Sequence, residues 1–512
     1  MSNKKYMAIN LISSIAVLFT NVIISFFLSP YIIKTIGVEA NGFVTLANNF
    51  VTYATLAVSA LNSMAARYIT LDYVKNNIKE ANIYYNSVFW GNLFIVGLLI
   101  IPATFFIVKM ENIINVPVGI LKDVKILFSF VFFNFFLLTG FPNWECGTYI
   151  SNRLDRKNIP NIATSLFRCL FLFLILTVLK PRVWYVGFSA SIVAIIGLTI
   201  NGYNTHRLTP ELRIDIKAKK ELFSITAMKE LVGSGIWNSI SGLGYVLLTS
   251  IDLLVCNIFL GPKEMGIVSL SKILPNFMQQ LSQAIRDSFE PELTIDYAKK
   301  DINILNNNIS RAMKITTLLL TIPLSWIIVF GNSFFSLWVP SQNEFLLGRL
   351  VTVSVFGYVF TSGTQILYNV FPTFNKVKQN AIAMLISGAA SLTISIFLLK
   401  FTKAGIYATV VASSLANIIR NISFTIPVTA TYLGLKWNSF FKEIGVSIIS
   451  TTTLSIIGVV IKHFFQIMNW QDLCISFLII GSIGLIINIG VITSRNEKKY
   501  IIEKLKTVIG IS

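Results

Sequence analysis

Two histidines, four cysteines and no G-x-x-x-x-G-K-[ST] phosphate loop leave this 512-residue chain little with which to do covalent chemistry. Metal centres draw on clustered His and Cys and ATP hydrolysis on such a loop, so neither a metal nor a cofactor is expected. His206 and His463 stand far apart in the chain, and Cys146, Cys169, Cys256 and Cys474 all lie in apolar stretches without paired spacing. A disulfide framework is therefore excluded, and the cysteines read as packing residues. Charge is scarce as well, at 13% of residues, and acidic charge most of all: 23 Asp and Glu against 42 Lys and Arg. Long polar loops are missing too. The longest expected outer segment, 332–348, is too short to fold as a domain, which argues against a membrane glycosyltransferase or polymerase and against an enzyme altogether.

What the chain does have is hydrophobic length. It is 54% hydrophobic, with a mean hydropathy of +0.70, which places it in the membrane class. Crossing the hydrocarbon layer takes about 20 apolar residues per helix. That ruler marks fourteen spans: 7–33, 41–64, 84–107, 125–149, 159–179, 183–204, 233–259, 265–286, 312–331, 349–372, 379–400, 404–428, 442–465 and 472–494. The first apolar run is too long for a signal-peptide core and has no small-residue cleavage site after it, so it reads as a retained helix. The fold class is an all-α polytopic membrane protein.

The surplus of 19 positive charges tracks this topology instead of marking a nucleic-acid surface. With the N-terminus inside, 28 Lys and Arg fall on the inner side, 11 on the outer side and three in mid-span. That asymmetry puts both termini in the cytoplasm and the basic loops against anionic membrane lipids.

The chain also repeats itself. IGVEANGFVTL (36–46) returns as LGPKEMGIVSL (260–270), and ITLDYVK (69–75) returns as LTIDYAK (293–299), both at an offset of 224. Over 36–76 against 260–300 nine positions are identical: Gly37, Gly42, Val44, Leu46, Ala60, Thr70, Asp72, Tyr73 and Lys75. An offset held across a hairpin and the next loop marks a duplicated six-helix unit. Six being even, both copies enter the membrane in the same sense, as parallel repeats. The expected domains are an N-lobe at 1–206, a cytoplasmic connector at 207–230, a C-lobe at 231–432, two extra helices at 433–495 and a cytoplasmic tail at 496–512. Pro210, with Ile216, Leu222 and Phe223 between lysines, suits an interfacial amphipathic helix in the connector. A solvated linker fits those residues equally.

Transporters with paired lobes hold substrate near the middle of the membrane, between the repeats. In 266–287, Lys272, Asn276, Gln279, Gln283 and Arg286 share one helix face. The matching positions 224 residues earlier are Asn48, Thr52, Thr55, Ser59 and Asn62. Polar groups turned to lipid are costly, so these stripes face protein or a wet cavity; hydrogen bonding between packed helices is the plainer of the two accounts. Asn10, Ser14, Asn21 and Ser25 give the first span a compatible face, as do Asn238, Ser241, Tyr245, Thr249 and Asp252 in the seventh.

Three basic residues lie within spans: Lys272, Arg168 and Arg420. Asp252 and Lys272 stand ten residues either side of the hairpin centre at Pro262, equal in depth, and suit an ion pair. Arg168 and Arg420 have no acid at matching depth, Glu145 lying near the cytoplasmic end of the fourth span, and an intramembrane arginine wants an anionic partner. Basic groups beside Asn, Gln, Ser and Thr suit a lipid-linked sugar. Its diphosphate takes charge-assisted hydrogen bonds, its hydroxyls pair with amides and hydroxyls, and its tail stays in lipid.

The 6+6+2 layout, the turns Gly37–Gly42 and Gly261–Gly266, and the segments GTYISNRLDRKNIPNI (147–162) and FPTFNKVKQNAI (371–382) resemble the bacterial polysaccharide flippases. Their superfamily also holds multidrug and toxic-compound extrusion transporters and lipid II flippases. The resemblance implies two six-helix bundles in a V, plus two C-terminal helices, in the bacterial plasma membrane. It implies alternating access that exports undecaprenyl-diphosphate-linked oligosaccharide units for O-antigen, capsule or related polymers, with a Na+ or H+ gradient as the drive and polymerase machinery as a partner. Arg168, Lys272, Arg286 and Arg420 are the positions that would meet the diphosphate, with Asn21, Asn48, Thr52, Asn276, Gln279 and Gln283 lining the cavity and Asp252 or Glu145 serving ion coupling or an ion pair. A cation-coupled drug antiporter and a lipid II-type flippase are the alternatives.

Overall fold

A computed structural model describes residues 3–214, 223–299 and 301–492. Every regular element among them is helical. The long helices are α1 (Asn3–Ile36), α2 (Val38–Val74), α3 (Ile78–Val108), α4 (Leu121–Gly140), α5 (Asp155–Val178), α6 (Trp184–Leu208), α7 (Ile225–Thr249), α8 (Ile251–Leu260), α9 (Pro262–Ser271) and α10 (Ile273–Ala298). They continue with α11 (Ile302–Trp338), α12 (Glu344–Thr361), α13 (Val377–Phe401), α14 (Tyr407–Arg420), α15 (Ile426–Tyr432), α16 (Phe441–Phe464) and α17 (Trp470–Ile492).

Eleven helices among the described residues are long and apolar enough to cross a membrane, α7 and α8 counting as one. The expected spans at 125–149, 265–286 and 404–428 are helical but are not among the eleven. The eighth breaks at Lys272 and continues as the polar α10. The twelfth passes through a π-helical turn, Asn421–Thr425. The fourth ends at Gly140, ahead of a short 3-10 segment, Pro142–Glu145, because proline cannot continue the backbone ladder.

The duplication is visible in the backbone. Gly37 and Gly261, the turn glycines of the repeated phrase, both have φ +107°, a conformation L side chains rarely adopt. Asn152 and Asn375, in the two later segments, have φ 52° and 54°. Each closes its helix with the same pair of bonds: Asn152 and Arg153 N–H donate to Tyr149 and Thr148 O, and Asn375 and Lys376 N–H to Pro372 and Phe371 O.

The chain forms two compact units, one of Met1–Val246 with Leu253–Ile267, the other of Leu247–Asp252 with Val268–Ser512. In the first, Phe50, Phe106, Phe128 and Phe132 interlock with ring centroids 4.4 to 6.4 Å apart. A second core gathers Leu61, Ile69, Tyr85, Cys146 and Leu231. Residues 253–267 pack into this unit by close contact: a Cβ on Gly266 would lie 2.6 Å from Val38 O, and one on Gly42 2.9 Å from Gly266 Cα. Asn115 and Asn257 clasp there, backbone N–H to Oδ1 at 2.8 Å one way and Nδ2 to backbone O at 3.0 Å the other.

The start of the connector is also held by the first unit. Asn82 takes Arg213 N–H and gives its amide to Glu211 O, Asn86 gives to Arg213 O, and Ser87 takes Ser224 N–H. These buried side chains occupy the backbone groups that a helix would use, so 209–214 is turn and extended chain, not the expected helix start at Pro210. Ile216 and Leu222 of the connector, and the tail 496–512, lie outside the described residues.

In the second unit α11 is the central helix, and α16 and α17 pack on it. Their seam is polar. Asn488 Nδ2 donates to Thr321 Oγ1 at 2.8 Å, Ser450 bridges Thr321 and Asn488, and Trp326 Nε1 donates to Ser476 at 3.0 Å. Hydrogen bonds of this kind, with close packing, join helices where lipid supplies no hydrophobic drive.

Candidate functional site

Within the first unit, α1, α2, α4, α5 and α6 enclose two adjoining cavities of about 570 and 410 Å³. Both are lined by Val44, Asn48, Arg168 and Val186, so Arg168 stands where they meet. Asn21, Ser25 and Ser165 line the smaller one. Thr55, Asn62, Asn134 and Thr139 line the larger, among valines and leucines. The sizes suit a small polar headgroup, the range of ordinary ligand pockets.

Arg168 is held sparingly. Its five N–H donors have one protein acceptor, Val186 O at 3.4 Å, near the limit for a hydrogen bond. Its Nε is buried with no partner, and among the described residues no carboxylate pairs with it. Asn134, the lone polar residue of FVFFNFFLL (130–138), has a buried Oδ1 with no partner. The cavity therefore offers an unanswered cation and an unanswered amide. A half-buried charge of this kind is tolerated when something else neutralises it.

The α2 stripe divides along its length. Asn62 exchanges amide bonds with Asn92 at 3.1 and 2.8 Å, and Ser59 bonds Ser239 at 2.5 Å, which is packing between helices. Asn48, Thr52 and Thr55 are exposed and bond only to their own helix, to Val44, Asn48 and Val51 O. Asn48 and Thr55 line the cavities, and Thr52 lies outside their walls. α1 divides in the same way: Asn10 and Ser14 bind α5 and the turn before it, through Asn152, Asp155 and Asn158, while Asn21 and Ser25 face the smaller cavity.

In the second unit Lys272 donates to Asp252 Oδ1 and to Thr249 O, each at 2.5 Å, with both side chains mostly buried. The pair occupies both charges. Asn276 and Gln283 are exposed and Gln279 half-buried along α10. Arg286 donates to Gln365 Oε1 at 2.9 Å and Ser282 Oγ at 3.0 Å. Arg420 donates to Tyr368 Oη at 2.5 Å and Asn417 Oδ1 at 3.1 Å. Glu145, at the end of the 3-10 segment after α4, pairs with Lys157 and accepts from Asn201.

At the C-terminal end of α2, outside the expected span, Tyr73 Oη donates to Glu211 at 2.6 Å. That bond holds the Glu211 carboxyl below its usual range. Asn134, Asn92 and Tyr368 escaped the sequence reading. Asn134 alone had a signal there, as one amide among five phenylalanines and two leucines.

No family model matches the chain. It is 24% identical over 506 residues to the protein named Uncharacterized membrane protein EpsK of Bacillus subtilis (strain 168), covering 98% of both chains. Among solved structures it is similar to the lipid II flippase MurJ in an inward closed conformation, with a TM-score of 0.68, 16% identity and coverage of 93% of this chain and 98% of that one. It is also similar to an inward-facing multidrug resistance transporter of the MATE family, of the MOP superfamily, with a TM-score of 0.65, 11% identity and coverage of 81% and 94%. The chain shares the fold of these two proteins, an all-helical multi-pass membrane architecture.

Proposed function

We propose that the protein is a flippase for undecaprenyl-diphosphate-linked oligosaccharides, moving them outward across the bacterial plasma membrane by alternating access, with both termini cytoplasmic. The observation that carries this reading is Arg168: a half-buried guanidinium with a buried, unpartnered Nε, one weak acceptor and no acid, set at the junction of two cavities whose walls carry amides and hydroxyls among apolar side chains. A diphosphate supplies the missing negative charge, and Asn21, Asn48, Thr55 and Asn134 are the groups that answer sugar hydroxyls. The prenyl chain needs no protein site of its own, because the surrounding lipid already solvates it.

A cation-coupled drug antiporter would want a free carboxylate in the membrane. Asp252 is held by Lys272 and Glu145 by Lys157, which speaks against either as a cation site. A lipid II-type flippase shares the diphosphate chemistry and differs in the sugar. Na+ or H+ coupling, and delivery to a polysaccharide polymerase, belong to the same proposal. The test is transport by the wild-type protein in proteoliposomes, with a fluorescent prenyl-diphosphate oligosaccharide, lipid II and a cationic dye as separate cargoes. Movement of the oligosaccharide in preference to the other two supports the reading; dye movement alone refutes it.

A further inference from the structure

The second unit holds a basic cluster that takes no part in the Arg168 cavity. Tyr368 lies in a 3-10 segment, Gly363–Asn369, that follows α12. Arg286 Cζ is 5.5 Å and Arg420 Cζ 5.1 Å from the centre of its ring, both within cation–π range. The tyrosine hydroxyl accepts a hydrogen bond from Arg420 Nη2 and donates one to Asn421 Oδ1 at 2.7 Å. The remaining partners of the two guanidiniums are Ser282, Gln365, Asn417 and the Met384 sulfur. All are neutral.

Two cations thus share one ring with no counter-ion, and neither arginine is ion-paired among the described residues. Arg420 is 7% exposed and its Nε has no partner. Arg286 is half-buried, and its Nε and Nη2 donate to no protein atom, which leaves three of its five N–H groups open. Burying like charges together without an anion is costly unless a ligand completes the set. The π-helical turn Asn421–Thr425 starts directly after Arg420, and turns of that type concentrate at functional sites.

Height in the membrane identifies the class of ligand. Arg286 lies twelve residues before the end of α10 at Ala298, and Arg420, the last residue of α14, twelve before the end of α15 at Tyr432 across the π-helical turn, so each is about 18 Å or less from that end at ~1.5 Å per residue, and the ring they share sets them at one level. In the topology proposed above those ends are cytoplasmic, and Arg286 closes the expected span 265–286. The cluster then sits on the cytoplasmic side, within reach of inner-leaflet headgroups. Arginine forks match phosphate oxygens.

We propose that Arg286, Tyr368 and Arg420 form a cradle for the phosphate of a lipid in the cytoplasmic leaflet, where a prenyl diphosphate docks before it reaches the transport cavity. The loading role rests on the flippase reading; the phosphate site itself does not. A phosphatidylglycerol headgroup offers the same chemistry, so the experiment carries one arm for each lipid.

The probe is geranylgeranyl diphosphate, with phosphatidylglycerol in the second arm, added to the full-length Arg168→Ala protein in phosphatidylcholine nanodiscs and read by native mass spectrometry. Removing Arg168 first takes the first-unit cavity out of the measurement. Geranylgeranyl diphosphate should still bind, at least tenfold more tightly than phosphatidylglycerol, and binding should fall at least tenfold on Arg286→Gln and again on Arg420→Gln. Arg286→Lys, a charge without the fork, should keep part of it. Arg286 is half-exposed, so its glutamine variant folds, and an unchanged thermal midpoint checks this even where Arg420→Gln fails. Loss of all binding in the Arg168→Ala parent, indifference to Arg286→Gln, or a preference for phosphatidylglycerol overturns the proposal. Failure of the flippase reading would appear instead in wild-type transport.

Discussion

Replacing Arg168 by glutamine separates a binding residue from a structural one, because the two roles predict opposite effects on stability. Arg168 has a single 3.4 Å acceptor and no acid, so the folded protein loses almost no interaction with it and sheds the cost of a half-buried charge. Stability should change by no more than about 1 kcal/mol, or rise. Binding is another matter. A hydrogen bond to a charged group contributes about 1.5–3 kcal/mol, so affinity for a prenyl-diphosphate oligosaccharide should fall about 10- to 150-fold. The assay is thermal unfolding in detergent beside equilibrium binding of the fluorescent sugar lipid on the same preparation. A drop in stability of several kcal/mol, or an affinity left within twofold of wild type, refutes the reasoning.

The ion pair of the second unit should behave the other way. Lys272→Met strands a buried Asp252 carboxylate, should cost about 3–5 kcal/mol in thermal or denaturant unfolding, and should be rescued by adding Asp252→Asn. Gly266→Ala puts a methyl 2.6 Å from Val38 O and should destabilise by about 1–3 kcal/mol, whereas Gly445→Ala, with open space around it, should be neutral or mildly stabilising. The Tyr73–Glu211 bond depresses the Glu211 pKa, so its contribution is present above the unfolded carboxyl pKa and fades as pH falls through the lower folded value. Tyr73→Phe should therefore speed limited proteolysis of the connector at pH 7 and remove the acid-dependent increase expected of the wild type.

How much of this was legible in the sequence depended on whether a feature is local. The turn at Gly37 and its copy at Gly261 were readable because a positive φ restricts the residue type at one position, and the restriction repeats at a fixed offset. The Asp252–Lys272 juxtaposition was readable because equal spacing about a hairpin sets equal depth. The α2 stripe was readable only as a whole: that Ser59 serves packing and Asn62 is tied to Asn92 at the cavity wall, while Asn48 and Thr55 line the cavities with bonds only to their own helix, depends on where Ser239 and Asn92 stand, and helical phase carries no such information. The fourth span ran nine residues too far, since apolar composition continues through Phe141, Trp144 and Cys146 after the backbone has broken. Tyr368 gave no signal at all, because only the fold brings two arginines, 134 residues apart, to one ring.

The most direct test of the central claim is the rate at which a fluorescent prenyl-diphosphate oligosaccharide crosses proteoliposome membranes with wild-type protein and with Arg168→Ala at matched reconstitution. Wild type should move it and Arg168→Ala should slow it at least tenfold with its thermal midpoint intact. Equal rates from the two proteins would contradict the account and return Arg168 to a structural role.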